Sequence, residues 1–260
     1  MIRIHDLSVH YGGRRALDCV SLAVEEGELF GVLGPNGAGK TTLFKVLSGQ
    51  MRPTTGSASV DGKDTTSRAR AVQHVLGIVP QTFAGYEILT AYENLEFFGS
   101  LYGVKGAILM RRARDLLKTV SLDRRAHDAV SGFSGGMKHR LNIVLGLIHD
   151  PKVVIMDEPT TGLDPIAREE LWEIIHALRK RGVTILLTTH YMQEAESLCD
   201  RVAILDQGRV KLTGRPRELG KTLDQAFHDC VTADSVAAEG PDPDAIVGRV
   251  RRHEEKEAGP

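Results

Sequence analysis

"GPNGAGKTT", residues 34–42, follows the unbroken apolar run "LFGVL" at 29–33 and leads into a segment where Leu43, Val46 and Leu47 recur at helical spacing. An apolar run of that length reads as a strand buried on both faces of a parallel sheet. Strand, glycine loop and helix in that order, with Gly34, Gly39, Lys40 and Thr41 at the required positions, fit the phosphate-loop pattern in full. The loop amides and the helix dipole converge on the β- and γ-phosphates of a nucleotide. Lys40 adds a positive charge there, and Thr41 offers the hydroxyl that holds Mg²⁺. Gly34, Pro35, Asn36, Gly37, Ala38, Gly39, Lys40, Thr41 and Thr42 are the candidate nucleotide contacts. A glycine turn before a purely structural helix would not call for both Lys40 and Thr41.

Outward from this loop the periodicity changes in an informative order. Ile2, Ile4, Leu7 and Val9, then Val20, Leu22 and Val24, alternate with polar residues as half-buried antiparallel strands do, with "EEGE" at 25–28 as their turn. From about residue 90 to 120 the spacing becomes helical, through Leu95, Phe98, Leu101 and Tyr102, then Met110, Ala113, Leu116, Leu117 and Val120. "KVVIMD" at 152–157, "VTILLTT" at 183–189 and "RVAILD" at 201–206 return to buried strands. Between the first two, Leu171, Ile174, Ile175 and Leu178 mark a helix, and Asp164 followed by Pro165 signals its start. The fold expected is α/β: a mostly parallel sheet with an N-terminal antiparallel part and an inserted helical part. Residues 223–230, "LDQAFHDC", read as a short helix, and the Ala-, Pro-, Gly- and charge-rich stretch from 231 to 260 reads as a mobile tail.

Composition excludes several classes. A chain of 260 residues, 42% hydrophobic and 26% charged, buries one sizeable core or a core with a smaller lobe. Its longest apolar runs fall far short of the roughly 20 residues needed to cross a bilayer. The N-terminus lacks the apolar block of a secretory signal, so a cytosolic location is expected. Cys19, Cys199 and Cys230 stand far apart without ligand spacing and read as free thiols. A formal net charge of −1 gives no global basic excess for nucleic acid, and the run Arg249, Arg251 and Arg252 reads as a solvated face.

A phosphate loop alone leaves kinase, GTPase, helicase and transport ATPase open. "VVIMDE" narrows the choice by putting Asp157 and Glu158 at the carboxyl end of a buried strand, where open α/β sheets bind ligands. Asp157 suits Mg²⁺ held through its water shell, and Glu158 suits orienting and deprotonating the attacking water. An acidic loop capping a helix would explain the pair in isolation, but not beside the phosphate loop. A second glycine turn, "SGFSGGMKHR" at 131–140, starts another helix, so that Ser134, Gly135 and Gly136 offer amides, a hydroxyl and a positive dipole end to an anion.

These motifs together resemble the ATP-binding-cassette (ABC) ATPases: "GPNGAGKTT", Gln81 in "IVPQ", "FSGGMKHR", "VVIMDEPTTGLDP" and His190 in "LLTTH" occur in that family's order and approximate spacing. The resemblance covers about residues 1–219 and implies a P-loop, RecA-like core with a helical insertion at about 85–145; residues 220–260, beyond it, read from their composition as a short, partly disordered C-terminal extension. It implies that Tyr11 stacks on adenine, that Gln81 senses Mg²⁺ and the γ-phosphate, and that His190 contacts the γ-phosphate beside Glu158. The implied catalytic set is Glu158, His190 and Lys40, with Thr41, Gln81 and Asp157 at the metal. The anion at Ser134, Gly135 and Gly136 would be the γ-phosphate on a second such subunit, most simply in a homodimer. Phe133 stands where the family usually has Leu, which implies altered packing rather than lost function.

The stretches "YEILTAYENLEFFGSLYG" at 86–103, "SGGMKHRL" and 171–208 look most like an exporter branch serving drug, lipid, polysaccharide and some metal-related efflux. Such subunits bind ATP and Mg²⁺, pair with a separate transmembrane permease on the cytoplasmic face of the cell membrane, and have no nucleic-acid partner. Residues 82–92 would receive a helix of that permease, with Phe83 and Tyr86 as candidate anchors. "TLDQAFHDC" at 222–230 resembles the closing segment of the family's further C-terminal domain but arrives early, implying a shortened domain. The alternative, a soluble ABC ATPase acting on nucleic acid or ribosomes, usually carries two cassettes or a long coiled coil. A small-molecule kinase would not account for residues 131–140.

Overall fold

The computed structural model describes residues 1–219 and 222–235. Its centre is a six-stranded sheet in which β3 (Leu29–Leu33), β6 (Leu76–Val79), β7 (Val153–Asp157), β8 (Thr184–Thr189) and β9 (Arg201–Asp206) run parallel. The strand order is β10-β9-β3-β8-β7-β6, with β10 (Arg209–Gly214) pairing antiparallel at the edge. A second, antiparallel sheet, in the order β2-β1-β4-β5, is made by β1 (Ile2–Tyr11), β2 (Arg14–Val24), β4 (Thr55–Val60) and β5 (Lys63–Asp64).

The apolar runs are continuous because both faces of the parallel strands are covered. Phe30, Val32, Val153, Ile155 and Leu186 pack toward the antiparallel sheet and helix α1 (Lys40–Leu47). Leu29, Leu33, Val154, Met156, Ile185 and Leu187 pack on the other side against helices α3 (Ala91–Leu101), α4 (Gly106–Thr119), α5 (Gly135–Leu147) and α6 (Pro165–Lys180). Each such side chain contributes about 1.5–3 kcal/mol by leaving water. Short helices α2 (Ala69–Gln73) and α7 (Met192–Leu198) and the C-terminal α8 (Leu223–Ser235) complete the described elements longer than one 3₁₀ turn.

Local signals hold where their chemistry is strong. Asp164 caps α6 by accepting from the Ala167 amide at 2.9 Å, with Pro165 at the first helical position. Thr90 and Glu93 form a full capping box that starts α3.

Other expectations need correction. The β1–β2 hairpin closes at residues 12–13, where Gly12 has φ +57, so "EEGE" turns β2 into β3 instead. Leu101 and Met110 are exposed, at 64% and 53%, because the apolar stripe of the inserted helices is narrower than their composition suggests. The C-terminal helix runs past residue 230 to Ser235, since Leu223, Ala226 and Phe227 bury one face in the main core. The remainder of the expected mobile tail lies outside the described residues. Cys19, Cys199 and Cys230 are free. Among the described residues no helix is long and apolar enough to cross a membrane.

Where the inserted helices meet the sheet, the ring of His149 stacks on Tyr102 with centroids 3.8 Å apart and planes 7° off parallel. His149 Nε2 lies 3.2 Å from the carbonyl of Leu76 in β6, which assigns the ring proton to that nitrogen. Burial lowers the His149 pKa from 6.5 to about 4, with the Leu76 carbonyl opposing the shift. The depressed folded value means that the unfolded chain takes up a proton first on acidification. Stability from this group is therefore full above pH 6.5 and is lost as pH falls toward 4. With the side chain partly reached by solvent, the contribution is about 1–2 kcal/mol. In urea unfolding, the difference between wild type and His149→Gln should be largest at pH 7 and shrink by about that amount toward pH 4.5. A difference independent of pH would show that His149 is not buried neutral.

Candidate nucleotide site

The carboxyl ends of β3, β7 and β8 meet at one place, and the loop after β3 closes over it. Gly34 cannot carry a side chain, because a Cβ there would stand 2.3 Å from the Leu205 carbonyl in β9. Gly39, at φ +112, turns the chain into α1. That helix starts at Lys40 with no side-chain cap and no acidic residue in its first turn, so its positive pole is left for an outside anion.

Lys40 is 5% exposed, and its ammonium is held by the carbonyls of Gly34 at 2.6 Å and Pro35 at 3.1 Å and by Glu158 Oε1 at 3.1 Å. Asp157 Oδ1 accepts from the Thr188 hydroxyl at 2.6 Å, while Oδ2 accepts from Thr41 Oγ1 at 3.3 Å. Glu158 has φ +47, a left-handed conformation costing about 1–2 kcal/mol for a residue with a side chain. Its amide donates to the Thr188 carbonyl and to Thr188 Oγ1, both at 3.1 Å, which holds that conformation.

The Glu158 carboxylate also accepts from Thr161 Oγ1 at 3.2 Å, with a long contact of 3.5 Å from Gln81 Nε2. His190 Nδ1 is 3.2 Å away, an ion-pair distance without hydrogen-bond alignment. Burial pushes the Glu158 carboxyl up, but the Lys40 ammonium and His190 outweigh this and leave it below the usual value.

A cleft of about 810 Å³ opens over these groups, lined by Tyr11, Asn36, Gly37, Gly39, Lys40, Thr41, Thr42, Gln81, Glu158 and His190. Arg14, Ala16 and Thr161 line it too, although nothing in their sequence context singles them out. Gly34, Pro35, Ala38 and Asp157 lie outside that lining, Asp157 meeting it through Thr41. Tyr11, at the end of β1, is 47% exposed and points its hydroxyl at Met51 Sδ, 3.1 Å away. Thr188 is the residue sequence reading missed. Its signal is a buried hydroxyl that, with Thr189, closes a strand whose middle, Ile185 to Leu187, is aliphatic.

Ser134, Gly135 and Gly136 are not part of this cleft. They start α5, with Ser134 Oγ accepting from the Met137 amide at 3.3 Å, and Ser134 and Gly135 are exposed. Behind them Phe133 is buried, with the Arg125 guanidinium 5.4 Å from its ring centre. Phe83 is half-buried against the helical core, whereas Tyr86 is 48% exposed and meets Phe97 edge-on at 5.1 Å.

The profile of the family described as ABC transporter matches residues 17–161. The chain belongs to this ABC transporter family. It is 41% identical over 223 residues to a linearmycin resistance ATP-binding protein of Bacillus subtilis, covering 86% of this chain and 72% of that one. It is 42% identical to a Nod factor export ATP-binding protein of Ralstonia nicotianae, over 84% of this chain and 68% of the relative.

Among solved structures, an ATP-binding subunit of an ABC transporter superposes with a TM-score of 0.81 at 34% identity, over 88% of this chain and 99% of that one. A dimeric cassette in a post-hydrolysis state with ADP and Pi superposes with a TM-score of 0.75 at 27% identity, over 83% and 98%. The sheet and helices described above are the cassette fold, and the chain is an ABC ATPase subunit.

Gly34→Ala should lower stability by about 2 kcal/mol or more in urea unfolding, because backbone rather than a flexible side chain must move. Gly135→Ala meets nothing within 4 Å and should change it by less than about 1 kcal/mol. Equal effects would mean that the close approach to Leu205 does not constrain the loop.

Proposed function

We propose that this subunit hydrolyses ATP as one of a pair closed around the nucleotide and powers a separate membrane-spanning partner in export. The observation that carries the reading is a division of labour within the chain. The phosphate loop, Glu158 and His190 share one cleft, while the Ser134 turn stands outside it with its amides and helix dipole exposed. A second cassette's turn can complete the cleft from outside, and the dimeric relative with ADP and Pi is a precedent for such pairing. The names of the relatives in resistance and export support the direction of transport. On this reading the chain lies at the cytoplasmic face of the cell membrane, held by its partner, with exposed Tyr86 as a contact and no nucleic acid involved.

The donor set fits Mg²⁺: Thr41 Oγ1 and Asp157 Oδ2, hard oxygens 3.3 Å apart, share one site with the phosphate loop. Thr41, Asp157 and the Gln81 side chain would hold the ion, which when bound neutralises charge on the phosphate oxygens. Tyr11 offers its ring to adenine. The loop amides and Lys40 hold the β- and γ-phosphates. Glu158 takes a proton from the attacking water, and His190 steadies the γ-phosphate beside it. ATP therefore draws Lys40 toward phosphate and relieves Glu158 of its present partner.

Glu158→Gln should lower turnover by roughly 10²- to 10⁴-fold and leave ATP binding nearly intact. Hydrolysis at the wild-type rate would remove Glu158 as the base.

The shared site has a separate test. In mixed dimers one chain carries Ser134→Arg and the other Lys40→Ala, with Glu158→Gln in both so that ATP stays trapped. If the turn acts across the pair, both lesions fall in one site and the other still closes. One non-exchanging ATP per mixed dimer is then expected, and little in either homodimer. No trapping in verified mixed dimers would place the turn on its own chain's nucleotide.

A further inference from the structure

Helix α7 carries a carboxylate that this chemistry does not use. Glu194 is fully buried, at 0% exposure. Three elements turn donors toward it: Thr189, one residue before His190; Thr160, two residues after Glu158; and Trp172 on α6, with Arg168 one turn earlier as a nearby positive charge. None of these approaches closes to hydrogen-bond geometry. Both Glu194 oxygens, Thr160 Oγ1, Trp172 Nε1 and Arg168 Nε are buried without a hydrogen bond. Arg168 instead lies over the Tyr191 ring at 4.9 Å, and that ring is 4.1 Å from the ring of His190.

Buried polar atoms are nearly always paired, so several unpaired ones around a single carboxylate are a network held short of closing. Burial raises the Glu194 pKa above the usual value, and the surrounding donors and the Arg168 charge offset that only in part.

We propose that Glu194 is a positioning residue for the hydrolytic pair. By gathering Thr160 and Thr189 onto one carboxylate it sets the separation of Glu158 and His190, and through Trp172 it ties that separation to α6. The proposal rests on the roles given above to Glu158 and His190. The loop at 159–164 joins Glu158 to α6, so Thr160 and Trp172 reach the carboxylate from the two ends of one short segment.

Trp172 is the only tryptophan in the chain, so its emission reads this cluster directly. In the full chain, Glu194→Gln keeps the volume of the side chain but turns an amide toward groups that are themselves donors. It should lower kcat about 10-fold with KM and ATP affinity within about 2-fold of wild type. The change in Trp172 emission on adding ATP should shrink in parallel. Trp172→Phe should lower kcat about 3-fold, and the double variant should be no slower than Glu194→Gln alone, because both remove the same interaction. If Glu194→Gln does not fold, Trp172→Phe and Thr160→Val form the equivalent cycle. Glu158→Gln is the control. Should it hydrolyse at the wild-type rate, the assignment of the base fails and this proposal with it. Should it be inactive while Glu194→Gln keeps wild-type kcat, or while the two effects simply add, the positioning role alone is overturned.

Discussion

A lysine buried at the positive end of a helix sets the terms for the rest of the structure. Lys40 is 5% exposed and begins α1, whose dipole opposes its charge. Such a cation is tolerable only where negative groups surround it. Two loop carbonyls and Glu158 do so here, and this requirement ties the path of residues 34–39 to the end of β7, one strand removed from β3 across β8. The same pairing occupies the carboxylate proposed as base. An anionic triphosphate is a better partner for Lys40 than one carboxylate, so on this reading binding both stabilises the lysine and frees the base. Recognition and activation become one exchange of ion partners.

The sheet makes that exchange geometrically reproducible. β3, β7 and β8 are buried on both faces, so their carboxyl ends are fixed by packing and carry the site without loops of their own length. Thr188 shows how closely the layers are joined. Its hydroxyl donates to Asp157 at 2.6 Å and accepts from the Glu158 amide at 3.1 Å, orienting one carboxylate while holding the backbone of the next in its left-handed turn. Strain at Glu158 is affordable only because β8 supplies both acceptors.

How much of this was legible follows from the range of each interaction. The phosphate loop, Asp157, Glu158 and the start of α6 are local patterns in which spacing is itself the chemistry. The buried strands were equally plain, because two-sided burial leaves an unbroken apolar run. The β1–β2 turn was misplaced because "EEGE" and "YGG" carry comparable turn signals, and only the pairing of Tyr11 with Arg14 decides between them. Leu101 and Met110 carry the helical period yet stand exposed, because period does not say how wide the covered stripe is. Thr188, Arg14 and the Glu194 cluster were harder to read, and Thr188 shows why. Its partner Asp157 lies 31 positions away, and a polar residue at a strand end carries no sign of a partner so distant.

Two glycine turns in one chain then follow from electrostatics rather than redundancy. The first crowns a helix whose positive end is reinforced by Lys40. The second crowns α5, which has no acidic residue in its first turn and leaves Ser134 and Gly135 exposed. Brought together across a pair of subunits, these two positive poles repel. On the proposed reading a γ-phosphate between them gives each an anion, and the contact becomes attractive. Hydrolysis divides that anion and weakens the attraction on the side of the second turn. On the reading proposed above, the sign of the force between subunits is set by whether the γ-phosphate is in place, and Glu158, as the proposed base, controls how long it stays.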